Sequence, residues 1–193
     1  MNTVGMSEFL TDLRHVITGP LDVWMEAALF DACVQFCRET ELITLYKAIT
    51  DWAAGQEITV SDDYDLIACQ LMRVVDADNE KLLPGIDYHA TSPNLITALV
   101  DIPVATIWYA AEPSRDGLMA PELLLQQYSN IICYGAASAL YLQPGKPWTD
   151  VKRAAEYHAR FIEGIRRASR FRKEQSNDDR VEFSNPVRTH SFY

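Results

Sequence analysis

The stretch YLQPGKPWTD, residues 141–150, decides how the chain folds, because it sets a rigid break between two long helical segments. Pro144 and Gly145 suit the centre of a type II turn: proline fixes φ at the first central position and glycine accepts positive φ at the second. Pro147 keeps Lys146 out of the helical region. Thr149 is placed to N-cap the next helix, and Asp150 in its first turn is favoured by the helix dipole. The position three after Thr149 is Lys152, so no capping box forms. Trp148 stands just before the cap, where a large aromatic is expected to wedge between the paired helices. The stretch stops one helix, reverses the chain and starts the next, a helical hairpin that by itself requires no function.

Working outward, a helix is predicted over residues 121–142. It opens on Pro121, a residue favoured at the first helical position, and keeps Leu124, Tyr128, Ile131 and Gly135 on one period. The small run GAASA, residues 135–139, lets a neighbouring backbone come close. Beyond the turn a helix over 149–173 carries Val151, Ala155, His158, Ile162 and Ile165 on one face, with His158 expected in the core. Near the start, Phe9, Leu10, Leu13, Val16 and Ile17 form one apolar stripe over 7–18, ended by Gly19-Pro20. A second helix over 21–40 repeats Val23, Ala27, Phe30, Val34 and Cys37 at spacings of four and three, the seam of a packed helix.

Between these helices the rhythm changes. Residues 43–111 alternate over short spans rich in β-branched and aromatic types, separated by turn-forming clusters such as residues 53–55 and 76–79. The expected fold class is α+β, mainly α: an antiparallel bundle of about four helices with a small antiparallel sheet inserted over 43–111. One domain is expected over 1–174, followed by a polar, aperiodic extension over 175–193.

The composition sets limits. With 193 residues and 48% hydrophobic content the chain fills one domain with a real core. No apolar run approaches the roughly 20 residues needed to span a membrane, and the first residues do not read as a signal peptide. Cys33, Cys37, Cys69 and Cys133 lack a framework spacing, so free, mostly buried thiols in a reducing compartment are expected. Residues 1–145 hold 20 acidic and 6 basic side chains, a net −14, whereas residues 146–193 carry a net +4. A body this acidic repels nucleic acid, while the basic C-terminal part suits an acidic partner or a solvated helix.

No catalytic or metal site is expected. Cys33 and Cys37 stand i, i+4 on a helix, but no second ligand pair accompanies them, so buried unliganded thiols are favoured. The run SDDYD, residues 61–65, gathers three carboxylates, yet it lacks the glycine and distal glutamate of a calcium loop and reads as a polar turn. The histidines His15, His89, His158 and His190 lie far apart. No phosphate loop, nucleophile elbow or metal-ligand cluster appears, and no cofactor is expected. The basic run Arg166, Arg167, Arg170, Arg172 and Lys173 is either a solvated helix end favoured by the dipole or a docking surface. With Phe192 and Tyr193 near the end of the chain, it forms the candidate partner interface, charges steering encounter and aromatics anchoring it.

Residues 131–170, IICYGAASALYLQPGKPWTDVKRAAEYHARFIEGIRRASR, resemble the C-terminal helical hairpin of head-to-tail adaptor (connector) proteins of tailed bacteriophages. The matching residues are Pro144, Gly145, Lys146, Pro147, Trp148, Ala154, Ala155, Phe161, Gly164 and Ile165. Residues 27–40, 53–66 and 108–124 are similar to the family's second helix, first sheet turn and passage from sheet to third helix. The strand region is short for the family, and SNPVRTHSFY, residues 184–193, has no counterpart. The resemblance implies a non-enzymatic virion protein at the head–tail junction, present in host cytoplasm during assembly. It implies a homo-oligomeric ring, commonly a dodecamer, that binds the portal and offers a platform to tail or tail-tube proteins. Passing DNA would be touched transiently, without sequence-specific binding, and no membrane is involved. Two rivals are a soluble helical interaction module that forms no ring, and an enzyme using the carboxylates of residues 61–65 with a histidine.

Overall fold

A computed structural model describes residues 1–175 of the chain. Its longest strand, β7 (Ile102–Pro113), takes β2 (Thr44–Trp52) on one side and β4 (Leu66–Asp76) on the other, both antiparallel. Period-two alternation explains the outer part of β7: Ile107 and Tyr109 are buried and Trp108 lies between them on the opposite face. From Tyr109 to Pro113 the strand is buried throughout, because α2 (Asp22–Thr40) packs across it. A second sheet, in the order β3 (Glu57–Thr59), β6 (Leu95–Ala98), β5 (Tyr88–Ser92), is also antiparallel. A third pairs β1 (Thr3–Gly5) with β8 (Met119–Pro121) and ties the chain start to α3 (Glu122–Tyr141).

These findings correct the expected architecture. Three antiparallel sheets are present rather than one small insert, and 29% of the described residues are strand against 42% helix. The fold is mixed α+β, with the strands too large a share of the structure for a helical bundle. The helix expected over 7–18 is a 3-10 turn, Met6–Phe9, followed by a short α1 (Leu10–Arg14). Its apolar stripe still holds, since Phe9, Leu13 and Ile17 are buried. Pro121 closes β8 and stands just before α3 rather than inside it.

The long helices run close to their predicted limits, but two of them bury only part of the face expected for them. In α2 the expected seam residues Phe30 and Cys37 are buried and Val34 packs against the core, but Met25, Leu29, Ala32, Cys33, Phe36 and Thr40 are buried as well, whereas Val23 and Ala27 point to solvent. In α4 (Val151–Gln175) the buried residues are Ala154, Phe161, Gly164, Ile165 and Ala168. Val151, Ala155 and His158 are exposed, so His158 is a surface residue and not a core histidine.

The α3–α4 contact is set by two glycines used in opposite directions. A methyl group at Gly135 would stand 3.0 Å from three ring atoms of Phe161, and one at Gly164 would stand 2.5 Å from Ile131 Cγ2. Each glycine therefore receives a large side chain of the other helix, and the backbones approach because no Cβ intervenes. Phe161 and Ile165 join Ile132, Ala136 and Leu140 of α3 in one continuous core that also takes in Leu29 and Phe36 of α2 and Ile107 of β7.

Cys33, Cys37 and Cys133 are buried free thiols and Cys69 is half-buried. Burial raises all four above their ordinary 9.0, Cys69 to about 11 and Cys133 to about 12. A thiol raised in the folded state contributes stability that is complete below its unfolded pKa and fades as pH climbs toward the folded value. The melting temperature is therefore expected to fall as pH rises from about 9 toward 12, beyond what the Tyr and Lys groups impose. In the native protein near neutral pH, iodoacetamide should reach Cys69 alone. Rapid labelling of Cys33 or Cys133 in the folded chain would contradict the packing described.

Candidate functional site

The turn between α3 and α4 adopts the backbone its residues require, with Gly145 at φ +70°. The N-cap of α4 is Asp150, one residue later than expected: its Oδ1 accepts from the amides of Lys152 and Arg153 at 3.0 and 3.1 Å. Thr149 instead closes the loop, accepting from the Lys146 amide at 3.1 Å while its own amide donates to the Lys146 carbonyl. Asp150 is the better cap because its carboxylate reaches two orphan amides and also meets the helix dipole.

Trp148 does not wedge between α3 and α4. Its ring lies over Gly19, where a built Cβ would meet Trp148 Cε3 at 3.1 Å, and Gly19 has the positive φ of +112° that glycine accepts. Trp24 leans on the same ring at 5.8 Å, and Lys146 Nζ stands 4.3 Å over Trp24. The rigid break thus clamps the loop before α2 against the hairpin, through one aromatic. Trp148 is half-buried, so Trp148→Ala is expected to cost about 2 kcal/mol, less than a fully buried aromatic. Thermal unfolding of the variant checks this; an unchanged midpoint would remove the clamp.

Along the hairpin, Tyr157 of α4 stacks between Tyr134 and Tyr141 of α3 at 5.7 and 5.8 Å. Arg160 covers the Tyr134 and Tyr157 rings, and Arg153 lies over Tyr141. Tyr141 Oη donates to the Val16 carbonyl at 3.0 Å, a second tie from the hairpin to the N-terminal segment.

The basic run in the last turns of α4, from Arg166 to Lys173, divides into three groups. Arg166, Arg170 and Lys173 line an open groove of about 570 Å³ with Ile165, Ser169, Glu39 and Glu174. Arg167 lies off that groove and pairs with Glu163 at 3.0 Å. Arg172 turns inward and pairs with Glu41, both side chains largely buried. Glu41 caps α2 in the left-handed conformation, so this pair fixes the end of α2 to the end of α4. Among the described residues Arg166 and Arg170 have no ion-pair partner. Phe192 and Tyr193 lie outside the described residues.

The carboxylates of residues 61–65 diverge. Asp62 pairs with Lys47 at 2.5 Å, Asp63 accepts from the Asp65 amide at 2.9 Å, and Asp65 accepts from Thr3 Oγ1 at 2.8 Å. Each is engaged in holding the loop between β3 and β4. His15, His89 and His158 are exposed and distant from that loop in sequence, and His190 lies outside the described residues. Among the described residues, no three His, Cys, Asp or Glu converge as metal ligands, and no helix is long and apolar enough to cross a membrane.

Sequence reasoning missed Trp24 and an aromatic row on the outer face of the large sheet. Tyr46 and Trp108 face each other across β2 and β7 at 5.2 Å, and Arg73 of β4 lies 5.0 Å over the Trp108 ring. Three residues spread over sixty positions become neighbours only through strand register.

No protein-family model matches the chain, and no curated protein matches it. Among solved structures, it is similar to a chain from the neck of an empty gene transfer agent particle computed with C6 symmetry. The identity is 17%, the alignment covers 80% of this chain and 88% of the other, and the TM-score is 0.27.

Proposed function

We propose that this chain is a head-to-tail adaptor, a virion structural subunit that forms a ring beneath the portal and presents a platform to tail or tail-tube proteins. The observation that supports this is the hairpin. The residues that carry the resemblance, 131–170, fold as one clamped unit, with Gly135 receiving Phe161, Gly164 receiving Ile131, and Trp148 seated on Gly19. A dodecamer is the stoichiometry the resemblance favours. The role needs no catalysis, and the carboxylates of residues 61–65 already serve the loop that holds them.

The charge distribution suits a conduit. Residues 1–145 carry a net −14, and an acidic lumen lets DNA slide rather than adhere. Little affinity for duplex DNA is expected near physiological salt; tight, salt-sensitive binding in a gel-shift titration would count against this role. The direct test is co-sedimentation with heads of the same particle, with and without a portal. The full chain should travel with portal-bearing heads only. A chain that stays at the top of the gradient in both cases would contradict the adaptor reading and favour an interaction module that does not attach to heads.

A further inference from the structure

The end of the β region farthest from the helices is apolar at its tip and strongly acidic around it. Leu83, Ile86, Leu99 and Val100 are all exposed there, Ile86 at 63%. They share one surface: the Leu99 amide donates to the Asp87 carbonyl at 2.8 Å, and the Ile86 amide to the Leu83 carbonyl at 3.2 Å. Residues 51–57, 76–88 and 99–102, which meet at this end, contain seven carboxylates against Lys81 alone. Among the described residues Asp78 and Glu80 have no ion-pair partner.

The complementary surface lies at the other end of the large sheet. The groove of Arg166, Arg170 and Lys173 also has Ile165, Ser169, Glu39 and Glu174 in its lining, and the Arg166 and Arg170 guanidiniums, which have no ion-pair partner among the described residues, stand one helical turn apart. Arg172 fixes this part of α4 to Glu41, just ahead of β2. β2 then runs nine residues to the acidic tip, about 30 Å at a strand's rise per residue. The two surfaces therefore cannot meet within one chain.

We infer that they meet between copies: the aliphatic, acidic β tip of one subunit docks on the basic α4 groove of the next. Guanidiniums at i, i+4 offer paired donors to carboxylates such as Asp78 and Glu80, while the four aliphatic side chains lose their water. Such a contact is head-to-tail rather than two-fold, and a head-to-tail contact propagates from copy to copy, closing a ring where the rotation between copies closes and extending as an open filament where it does not. This rests on the adaptor reading and assigns the surfaces by which its ring would form.

The test uses the full chain in sedimentation velocity at low and high salt. Wild type should self-associate, and less so as salt rises. Arg166→Glu with Arg170→Glu, and separately Asp78→Lys with Glu80→Lys, should each weaken association about 100-fold or more. All four positions are exposed, so far-ultraviolet circular dichroism should remain that of wild type. Mixing the two double variants in equal amounts should restore assembly, because each tip then faces a groove of opposite charge. A mixture that stays monomeric overturns the inference, as does association untouched by either variant, which would point to a contact that uses neither surface. Wild type that remains monomeric yet seats on portal-bearing heads also overturns it, without touching the adaptor reading. Head-to-tail assembly with no affinity for such heads would instead sink the adaptor reading and keep this interface.

Discussion

Phe161→Ala is expected to lower stability by about 3–5 kcal/mol, the range for emptying a fully buried aromatic site. The residue is 1% exposed, and its ring fills the space that Gly135 leaves on α3. Collapse into the resulting cavity is resisted from both sides. On α3 the residue facing the ring is Gly135, which has no side chain to swing in. On α4 the next turn is pinned by Gly164 against Ile131. For a chain of this length the loss corresponds to a fall in melting temperature of roughly 6–20 °C. A loss well under 2 kcal/mol, read by urea unfolding with an unchanged slope, would mean that the hairpin is not close-packed where described.

Gly164→Val should cost about 3 kcal/mol by the opposite mechanism, overpacking. A Cβ at Gly164 would stand 2.5 Å from Ile131 Cγ2 and 2.9 Å from both Cγ1 and Cδ1, so the whole isoleucine must move. The two further methyls of valine leave α4 no room to stay in place. The smaller Gly164→Ala change offsets part of its clash by up to about 1 kcal/mol of helix propensity. Combining Gly164→Val with Ile131→Ala should recover at least about 1 kcal/mol relative to additivity, because the two sites share one contact. Strict additivity would show that the glycine does not receive Ile131.

The turn at residues 144–148 was legible because proline and glycine restrict φ locally, and Gly145 has the sign of φ its position demands. What Trp148 touches was not legible, because Gly19 is brought to it by tertiary structure. The limits of α2, α3 and α4 followed from periodicity, but the faces of α2 and α4 did so only in part, at Phe30, Cys37 and Ile165. Both helices carry small apolar residues around much of their circumference. Val23, Ala27 and Ala155 kept a correct period on the solvent side, while Met25, Leu29 and Phe161 took the core.

The fold class failed at the sheets. Strands such as β5, Tyr88–Ser92, are short and mostly exposed, so their sequence reads as connecting turn and their weight was underestimated. Of the basic run on α4, only the charge was visible in sequence. The partner of Arg172 is Glu41, 131 positions earlier, and that pairing separates an internal tie from the groove residues Arg166, Arg170 and Lys173.

The most direct measurement is electron microscopy of the purified full chain mixed with a portal preparation of the same particle. The adaptor account predicts a closed ring coaxial with the portal, continuous with it on one side and open to the tail on the other. Portals that remain bare while the chain stays folded and dispersed in the background would contradict it.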